Sequence, residues 1–346
     1  MLLYLTRWVT HLCAPTFVFL AGTSAWLQRT HGKPPGELAR FLATRGLWLI
    51  ALELTVIGFA WSFSLPYLIF LQVIWAIGAA LVALAALVWL PRAALLALGI
   101  VIVAGHDLLD GVPGPAGGLP AALWTALVAP GPIRHAGELL AFVPYPALPW
   151  LGVLLLGYGL APWFLLPQPV RDRRFPALGL ALLALFGVLR GANLYGTPQH
   201  WALQPTLTQT LMDVMRVEKY PPSLLYVCAT LGLVFLAMPL IDRAGGALAR
   251  VLLVFGAVPL FAYVLHLYLA HALAIVLRLA TGQSTAGLHD LVRNVFFHPE
   301  RLQGSGFALG LVYLAWLALL LALYPLCRWY ADLRRRRRDW WWLSYL

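Results

Sequence analysis

Apolar runs of about 20 residues recur along the whole chain, and they constrain its fold more than any other feature. The chain is 62% hydrophobic, only 11% of its 346 residues are charged, and its mean hydropathy is +0.82. A helix of about 20 apolar residues crosses the hydrocarbon core of a bilayer with every backbone group paired internally. The sequence therefore predicts an all-α fold, a polytopic bundle of transmembrane helices.

The apolar runs predict nine spans, of which the fourth and sixth are short. The spans are residues 12–27, 41–61, 67–90, 93–104, 146–166, 175–189, 221–240, 251–277 and 307–329. A loop rich in Gly and Pro, residues 111–145, follows the fourth span and carries an apolar stretch too short to cross a membrane. We interpret residues 1–346 as a single transmembrane domain that ends in a basic and aromatic tail, residues 330–346.

The distribution of basic residues predicts the orientation. Nine alternating spans with the C-terminus inside place sixteen of the 24 lysines and arginines at the cytoplasmic face, as the positive-inside rule requires. The chain is then N-out and C-in. The net charge of +11 reflects this topology and an attraction to anionic lipids rather than nucleic-acid binding. The run Arg334–Arg338 followed by three tryptophans, Trp340–Trp342, is typical of an interfacial anchor at that face.

The first span begins at Leu12, after a short segment without the basic region of a signal peptide. An N-out start with an odd number of spans is what remains when a preceding N-in helix is lost. We therefore expect one further helix upstream of Met1.

Ionisable groups gather at the outer ends of the predicted spans, where eight of the nine histidines fall. Such groups are costly in a membrane, so their position indicates function. His11 lies at the outer mouth of the first span, although a single interfacial histidine is usually just solvated. His106 and Asp110 would share a helix face at i and i+4, and Asp107 or Asp110 could orient the imidazole as a general base. The alternative is a polar helix end capped by Gly111.

Other candidates lie deeper or at span boundaries. Tyr263 and His266 share a face of the eighth span, and counting residues from Arg250 places His266 deeper than His271, so we expect it to matter more. Arg190, beside Asn193, could snorkel or bind a phosphate or carboxylate. Arg45 and Glu53 are too far apart on the second span to pair. Glu53, near mid-membrane, therefore needs a partner such as Gln72, either as structural glue or along a substrate tunnel.

The usual motifs of soluble enzymes are absent from the sequence, including the Walker loop, HExxH and GxSxG. The three cysteines show no zinc-ligand spacing, so we expect no metal site.

Several segments resemble bacterial membrane proteins related to the catalytic domain of heparan-α-glucosaminide N-acetyltransferase. The resemblance covers essentially the whole chain. The segments that carry it are Arg7–Ser24, Thr44–Thr55, Leu71–Gln72, His106–Gly111, Tyr145–Gly152, Lys219–Ser223 and Tyr263–His266. Relatives typically begin with one more helix, and where the lysosomal enzyme carries an acid this chain has His11.

The resemblance implies a multi-pass acyltransferase of the bacterial inner membrane. It would move an acyl group from cytoplasmic acetyl-CoA or another acyl-CoA to a hydroxyl or amine of an extracytoplasmic, sugar-like acceptor. His11, His106 and His266 are the candidate general bases or acyl carriers, with Asp107 or Asp110 as orienter. The residues that we expect to bind substrate or donor are Arg45, Glu53, Gln72, Tyr145, Trp150, Arg190, Asn193, Lys219 and Tyr263. A homodimer is left open.

Two other classes of function remain open at this stage. A transporter or flippase for a polar or lipid-linked substrate would also need a polar path through the membrane, and a non-catalytic membrane protein is the third reading. The enzyme predicts consumption of acyl-CoA, whereas the transporter predicts substrate counterflow without it. We expect His11, His106, Asp110, Arg190 and His266 to meet in one outward-facing cavity.

Overall fold

Helices dominate the computed structural model, which describes residues 2–30, 32–337, 339–340 and 343. Within these residues, seven helices are long and apolar enough to cross a membrane. The predicted all-α, multi-pass architecture is confirmed. The seven helical segments are Pro35–Ala60, Arg92–Leu109, Ala147–Leu165, Gln168–Gly191, Leu224–Asp242, Pro259–Ala280 and Leu309–Arg336.

The chain folds as two compact units that interleave in sequence. The first unit holds residues up to Ile50 and Leu71–Arg243, and the second holds Ala51–Phe70 and the chain from Ala244 onward. In chain order the helices are α1 (Leu2–His11), α2 (Cys13–Thr30), α3 (Pro35–Leu52), a π-helix (Glu53–Ile57), α4 (Gly58–Ala60), α5 (Val73–Leu87), α6 (Arg92–Gly105), α7 (Gly118–Leu127), α8 (Ala147–Leu160), α9 (Gln168–Gly191), α10 (Leu207–Val214), α11 (Leu224–Asp242), α12 (Gly246–Ala257), α13 (Pro259–Ala280), α14 (Leu291–Phe296) and α15 (Leu309–Arg336). Short 3₁₀ turns cover His106–Leu109, Ala161–Leu165, Ala286–Leu288 and Pro299–Leu302, and the strands are β1 (Ile69–Phe70), β2 (Gly131–His135) and β3 (Glu138–Val143).

Glycines let helices α2 and α8 touch backbone to backbone in the first unit. A Cβ on Gly22 would lie 1.9 Å from the carbonyl oxygen of Leu154, and one on Gly157 would lie 1.9 Å from that of Phe19. The Thr23 hydroxyl also donates to the Gly157 carbonyl at 3.2 Å. Apolar packing alone drives helix association weakly in a membrane, so close approach through small residues and such hydrogen bonds supply the attraction.

The third predicted span is shorter than expected. Residues 61–72 form turns and the short strand β1, because Gln72 is extended (φ −102°, ψ −154°) and α5 begins only at Val73. The backbone N–H of Leu71 donates to the carbonyl of Phe142 at 2.9 Å. Pairing with an extended neighbour, which hydropathy does not reveal, therefore holds this segment out of the helix.

The eighth predicted span, residues 251–277, is two helices rather than one. Helix α12 ends at Ala257, and α13 begins at Pro259 after Val258 adopts a non-helical conformation (φ −136°, ψ 54°). Proline lacks an N–H and disfavours helical geometry at the preceding residue, which explains the break. The predicted depth of His266, counted along a single helix from Arg250, is therefore wrong.

The Gly- and Pro-rich loop contains regular structure that we did not predict. Strands β2 and β3 pair antiparallel, with an irregularity between Ile133 and Arg134. The two turn residues, Ala136 and Gly137, both have positive φ (49° and 86°), as the favoured two-residue hairpin turn requires. The apolar stretch in this loop forms the short helix α7.

In the second unit, two tyrosines bind the carbonyls of the π-helix. Tyr67 donates to Leu54 O at 2.7 Å, and Tyr268 donates to Val56 O at 2.8 Å. The wider i→i+5 ladder of a π-helix disturbs the regular backbone pairing, so outside donors stabilise it.

At the C-terminal end, helix α15 continues seven residues beyond the predicted span end at Trp329, to Arg336. The Arg337 guanidinium lies 5.2 Å from the Trp340 ring centroid. Arg338, Trp341 and Trp342 of the predicted anchor lie outside the described residues.

Candidate functional site

Helix α6 ends in a 3₁₀ turn that pairs His106 with Asp107. The His106 Nε2 lies 3.1 Å from Asp107 Oδ1, and both residues are buried. His106 Nδ1 contacts the carbonyl oxygens of Ile102 and Val103 at 3.1 and 3.2 Å. Because carbonyls only accept hydrogen bonds, Nδ1 carries a proton and Nε2 is the nitrogen that faces the acid.

Asp107, rather than Asp110, is thus the carboxylate that faces His106. The helix becomes 3₁₀ at His106, and Asp110 is already extended (φ −62°, ψ 129°), so the predicted i, i+4 pair does not form. Desolvation and the nearby Asp107 carboxylate raise the pKa of Asp110.

The second carboxylate oxygen of Asp107 binds the start of helix α11. Its Oδ2 accepts the backbone N–H of Leu224, the first residue of α11, at 2.9 Å, while the Ser223 hydroxyl accepts the N–H of Tyr226 at 3.1 Å. A carboxylate at a helix N-terminus is stabilised by the unpaired N–H groups and by the helix dipole. Asp107 therefore stabilises the start of α11.

Arg190 is buried at the end of α9 and donates to backbone carbonyls. Its Nε donates to Val214 O at 2.9 Å, its Nη2 donates to Asp213 O at 2.8 Å and to Arg216 O at 2.9 Å, and its Nη1 donates to Gln199 O. These four bonds commit most of its donors to the protein. Arg190 therefore holds the segment 199–216 in place, instead of presenting a full guanidinium fork to a ligand.

Asn193 and Asp213 organise the same segment. The Asn193 amide donates to Trp201 O at 3.0 Å and accepts from Trp201 N at 3.1 Å. Asp213 Oδ2 accepts from Ala202 N at 3.0 Å and from Gln204 Nε2 at 3.3 Å. The Ala202 hydrogen bond lowers the pKa of Asp213, so this carboxylate is ionised at neutral pH.

Three predicted binding residues meet in an aromatic cluster. The Tyr145 ring stacks on Trp150 at 5.1 Å and meets Tyr220 edge-on at 5.2 Å. The Lys219 ammonium lies 5.3 Å from the Tyr220 centroid and 6.0 Å from that of Tyr145. Trp150 is fully buried, so it supports the cluster and does not reach a ligand, whereas Lys219 faces an open cleft.

His11 lies at the C-terminal end of α1, on the wall of that cleft. Its ring packs edge-on against Tyr226 at 5.5 Å, and the Tyr226 hydroxyl donates to the His11 carbonyl at 2.8 Å. Burial, followed by the charges of Lys219 and Arg7, lowers the pKa of His11 to about 4. The imidazole is therefore neutral at physiological pH, with a lone pair available on one nitrogen.

The cleft has a volume of about 790 Å³ and lies between α1 and the segment held by Arg190. Tyr4, Arg7, Trp8 and His11 share the face of α1 that lines it, since they are spaced i, i+3, i+4 and i+7. Of the described residues, His106 and Asp110 are not among those lining the cleft. The other lining residues are Thr10, Gln199, Gln204, Gln209, Met212, Asp213, Met215, Arg216, Val217, Glu218, Lys219 and Tyr220.

The remaining candidates of the first unit lie away from this cleft. Arg45 is half-buried in α3, and Gln72 precedes α5.

The second unit holds the other candidates. Glu53 is 1% exposed at the start of the π-helix. The rings of Tyr263 and His266 lie 5.2 Å apart, so the predicted shared face is confirmed. His271 is 6% exposed and stacks on Phe63 at 4.2 Å, and the expectation that His266 matters more than His271 stays a prediction.

The end of the first unit opposite the cleft carries arginines in ion pairs. At the ends of the helices opposite His11 and His106, Arg171 pairs with Asp242 at 2.9 Å and Arg243 pairs with Asp172 at 2.6 Å. Arg92 donates to Gly159 O at 2.7 Å at this basic end. The other end carries the imidazoles and the cleft, with cations of its own.

These features define a multi-pass helical membrane protein with a polar cleft at one end of its first unit. The family model for the catalytic domain of heparan-alpha-glucosaminide N-acetyltransferase matches residues 2–191, more than half of the chain. The chain belongs to this family of membrane acetyltransferases, and the resemblance to that catalytic domain is confirmed over the matched residues. No curated protein matches the chain.

Sequence reasoning missed much of the cleft. Tyr4 and Trp8 were overlooked because the first span was taken to begin at Leu12, although their spacing with Arg7 and His11 is visible in the sequence. The glutamines of the opposite wall leave no comparable signal, since their place depends on contacts distant in the chain, such as the hydrogen bond from the Tyr4 hydroxyl to Met212 O at 2.8 Å.

Proposed function

We propose that the protein transfers an acyl group from acyl-CoA, with acetyl-CoA as the natural donor, to a hydroxyl or amine of a sugar-like acceptor in the cleft. The observation that carries the proposal is the neutral imidazole of His11 on the cleft wall of a member of an acetyltransferase family. We assign the cleft to the extracytoplasmic side of a bacterial inner membrane, and the basic end to the cytoplasmic side, where the phosphates of CoA would bind arginines.

His11 acts as the general base in this proposal. Its free ring nitrogen accepts the proton of the acceptor hydroxyl or amine while the acceptor oxygen or nitrogen bonds to the acyl carbon. The carbon–sulfur bond of the thioester breaks, and CoA leaves as a thiolate that takes the proton from the imidazolium. Base catalysis of this kind contributes about 10²- to 10⁴-fold to the rate.

His106 and Asp107 position the reaction and do not touch the reactants. They anchor the start of α11, which follows directly on the segment that carries Lys219 and Tyr220. His266 stays a second candidate base in the second unit, where its ring lies against Tyr263.

The direct test is acyl transfer by the purified full chain in nanodiscs, with radiolabelled acetyl-CoA and glucosamine. We expect thiol release and acetylated product in equal amounts. His11→Ala should lose about 10²-fold or more in kcat. His135→Ala is the matched control, because His135 is exposed on β2 outside the cleft.

Two results would overturn the proposal. Wild-type protein that leaves acetyl-CoA intact but exchanges glucosamine by counterflow across proteoliposomes would make the chain a transporter. A His11→Ala protein with full activity, combined with loss of activity in a folded His266→Ala protein, would move the base to the second unit.

A further inference from the structure

The basic side chains of the cleft are more available to a ligand than its acidic side chains. Three cations line it: Arg7 from α1, and Arg216 and Lys219 from the facing segment. Within the described part of the chain, no carboxylate lies within ion-pairing distance of any of the three. Within the described residues, the cleft therefore offers positive charge that no carboxylate pairs.

The two acids of the cleft are already engaged. Asp213 Oδ2 accepts from Ala202 N at 3.0 Å and from the Gln204 amide at 3.3 Å. Glu218 Oε1 accepts from the N–H of Tyr220 at 3.2 Å. Both carboxylates thus accept hydrogen bonds from the wall of the cleft, and a bound cation would have to compete with these bonds.

The rest of the lining suits a hydroxylated ring. The side-chain amides of Gln199 and Gln209 can each donate and accept, as pairing with hydroxyl groups requires. Trp8 and Tyr220 supply aromatic surface beside them. The volume of about 790 Å³ falls within the range of small-molecule sites and exceeds what a single small ion needs.

We propose that the cleft recognises its acceptor through an anionic substituent, of which phosphate is the representative, carried on a polyhydroxylated ring and held by Arg7, Arg216 and Lys219. Arginine binds such oxyanions through paired, charge-assisted hydrogen bonds, and lysine adds a point charge. The inference rests on the proposed function in taking the ligand to be the acyl acceptor. The anionic group selects the acceptor and takes no part in the bond changes at the acyl carbon, although Arg7 and Lys219, which hold it, are also the cations that lower the pKa of His11.

Binding without any acyl donor tests this independently of catalysis. The full chain in nanodiscs of phosphatidylcholine is titrated with glucosamine 6-phosphate and with glucosamine. We expect the phosphorylated probe to bind at least tenfold more tightly, with the preference weakening as salt is raised. Arg7→Gln and Arg216→Gln should each reduce the preference severalfold, whereas Arg134→Gln, on the exposed face of β2, should leave it unchanged.

A phospholipid headgroup offers the same chemistry as a soluble sugar phosphate, and a second arm separates the two sources. The titration is repeated in nanodiscs containing phosphatidylglycerol. If phosphatidylglycerol competes with glucosamine 6-phosphate, and this competition disappears in Arg7→Gln, the site binds a lipid-borne phosphate. If phosphatidylglycerol leaves the binding of glucosamine 6-phosphate unchanged, the site binds a soluble or sugar-borne phosphate. Equal affinities for the two probes, or a preference that survives both arginine substitutions in protein of wild-type thermal stability, would overturn the proposal. Lack of acyl transfer with normal probe selectivity would instead refute only the enzymatic role.

Discussion

Replacing Arg190 with methionine should loosen the segment 199–216 without unfolding the protein. Arg190 is 1% exposed, and the change keeps the length and apolar stem of its side chain but removes the guanidinium, which donates to four backbone carbonyls. Each lost bond leaves a carbonyl that must find water. The wall of the cleft facing α1 should then open more often than in the wild type.

The magnitude follows from those four bonds. Hydrogen bonds to charged groups contribute about 1.5–3 kcal/mol each, but four bonds from one side chain are not additive. The segment lies at the surface, so water replaces part of the loss, and we expect a net cost of about 3 kcal/mol. That cost corresponds to a roughly 10²-fold rise in the frequency of local opening. Arg190→Lys keeps the charge with fewer donors and should fall between the two.

Hydrogen–deuterium exchange of the full chain in nanodiscs measures this opening. Amides of residues 199–216 should exchange faster in Arg190→Met, while those of the β2–β3 hairpin, outside the segment, should not change. In acyl-transfer assays the variant should raise the KM for the acceptor more than it lowers kcat. Wild-type exchange in 199–216, with Arg190→Met folded and active, would show that the four hydrogen bonds do not hold the segment.

Three further outcomes follow from the structure. Gly157→Ala places a methyl 1.9 Å from a backbone oxygen of α2 and should lower the stability of the protein by about 1–3 kcal/mol. Gly187→Ala is the control, since a methyl there has no neighbouring atom within 4 Å and should leave stability unchanged or raise it. Equal melting curves for the two variants would contradict this. Because the pKa of His11 is about 4 rather than 6.5, the acid limb of the plot of rate against pH should lie near pH 4. Lys219→Met should move that limb to higher pH, because it removes a cation that lowers the pKa of His11. A wild-type limb at pH 6.5 would refute the assignment of His11 as the base. Asp107→Ala should destabilise the start of α11 by about 1 kcal/mol or more, measured by exchange of its first amides, and Asp107→Asn, which still accepts the first N–H, should cost less.

Hydropathy predicted the helical, multi-pass architecture but not the number of spanning helices, nine against the seven of the described residues, or their ends. Apolar runs predict spans because a bilayer leaves the backbone few alternatives, and seven of the described helices fit that reading. The break at Pro259 could have been read from proline chemistry. The extended stretch before Val73 could not, since it depends on a hydrogen bond to Phe142, far away in the sequence.

The family, the helical architecture and the residue types available for chemistry could be predicted from the sequence, because these depend on composition, periodicity and local motifs. The sequence left open which acid faces His106 and what Arg190 binds. Long-range contacts in the fold show that Asp107 faces His106 and that Arg190 donates to backbone carbonyls. They also show that the first helix faces, across a cleft, a segment some 200 residues later in the chain. The physical reason is that burial and hydrogen-bond geometry depend on neighbours distant in the chain, whereas hydropathy is a property of each segment alone.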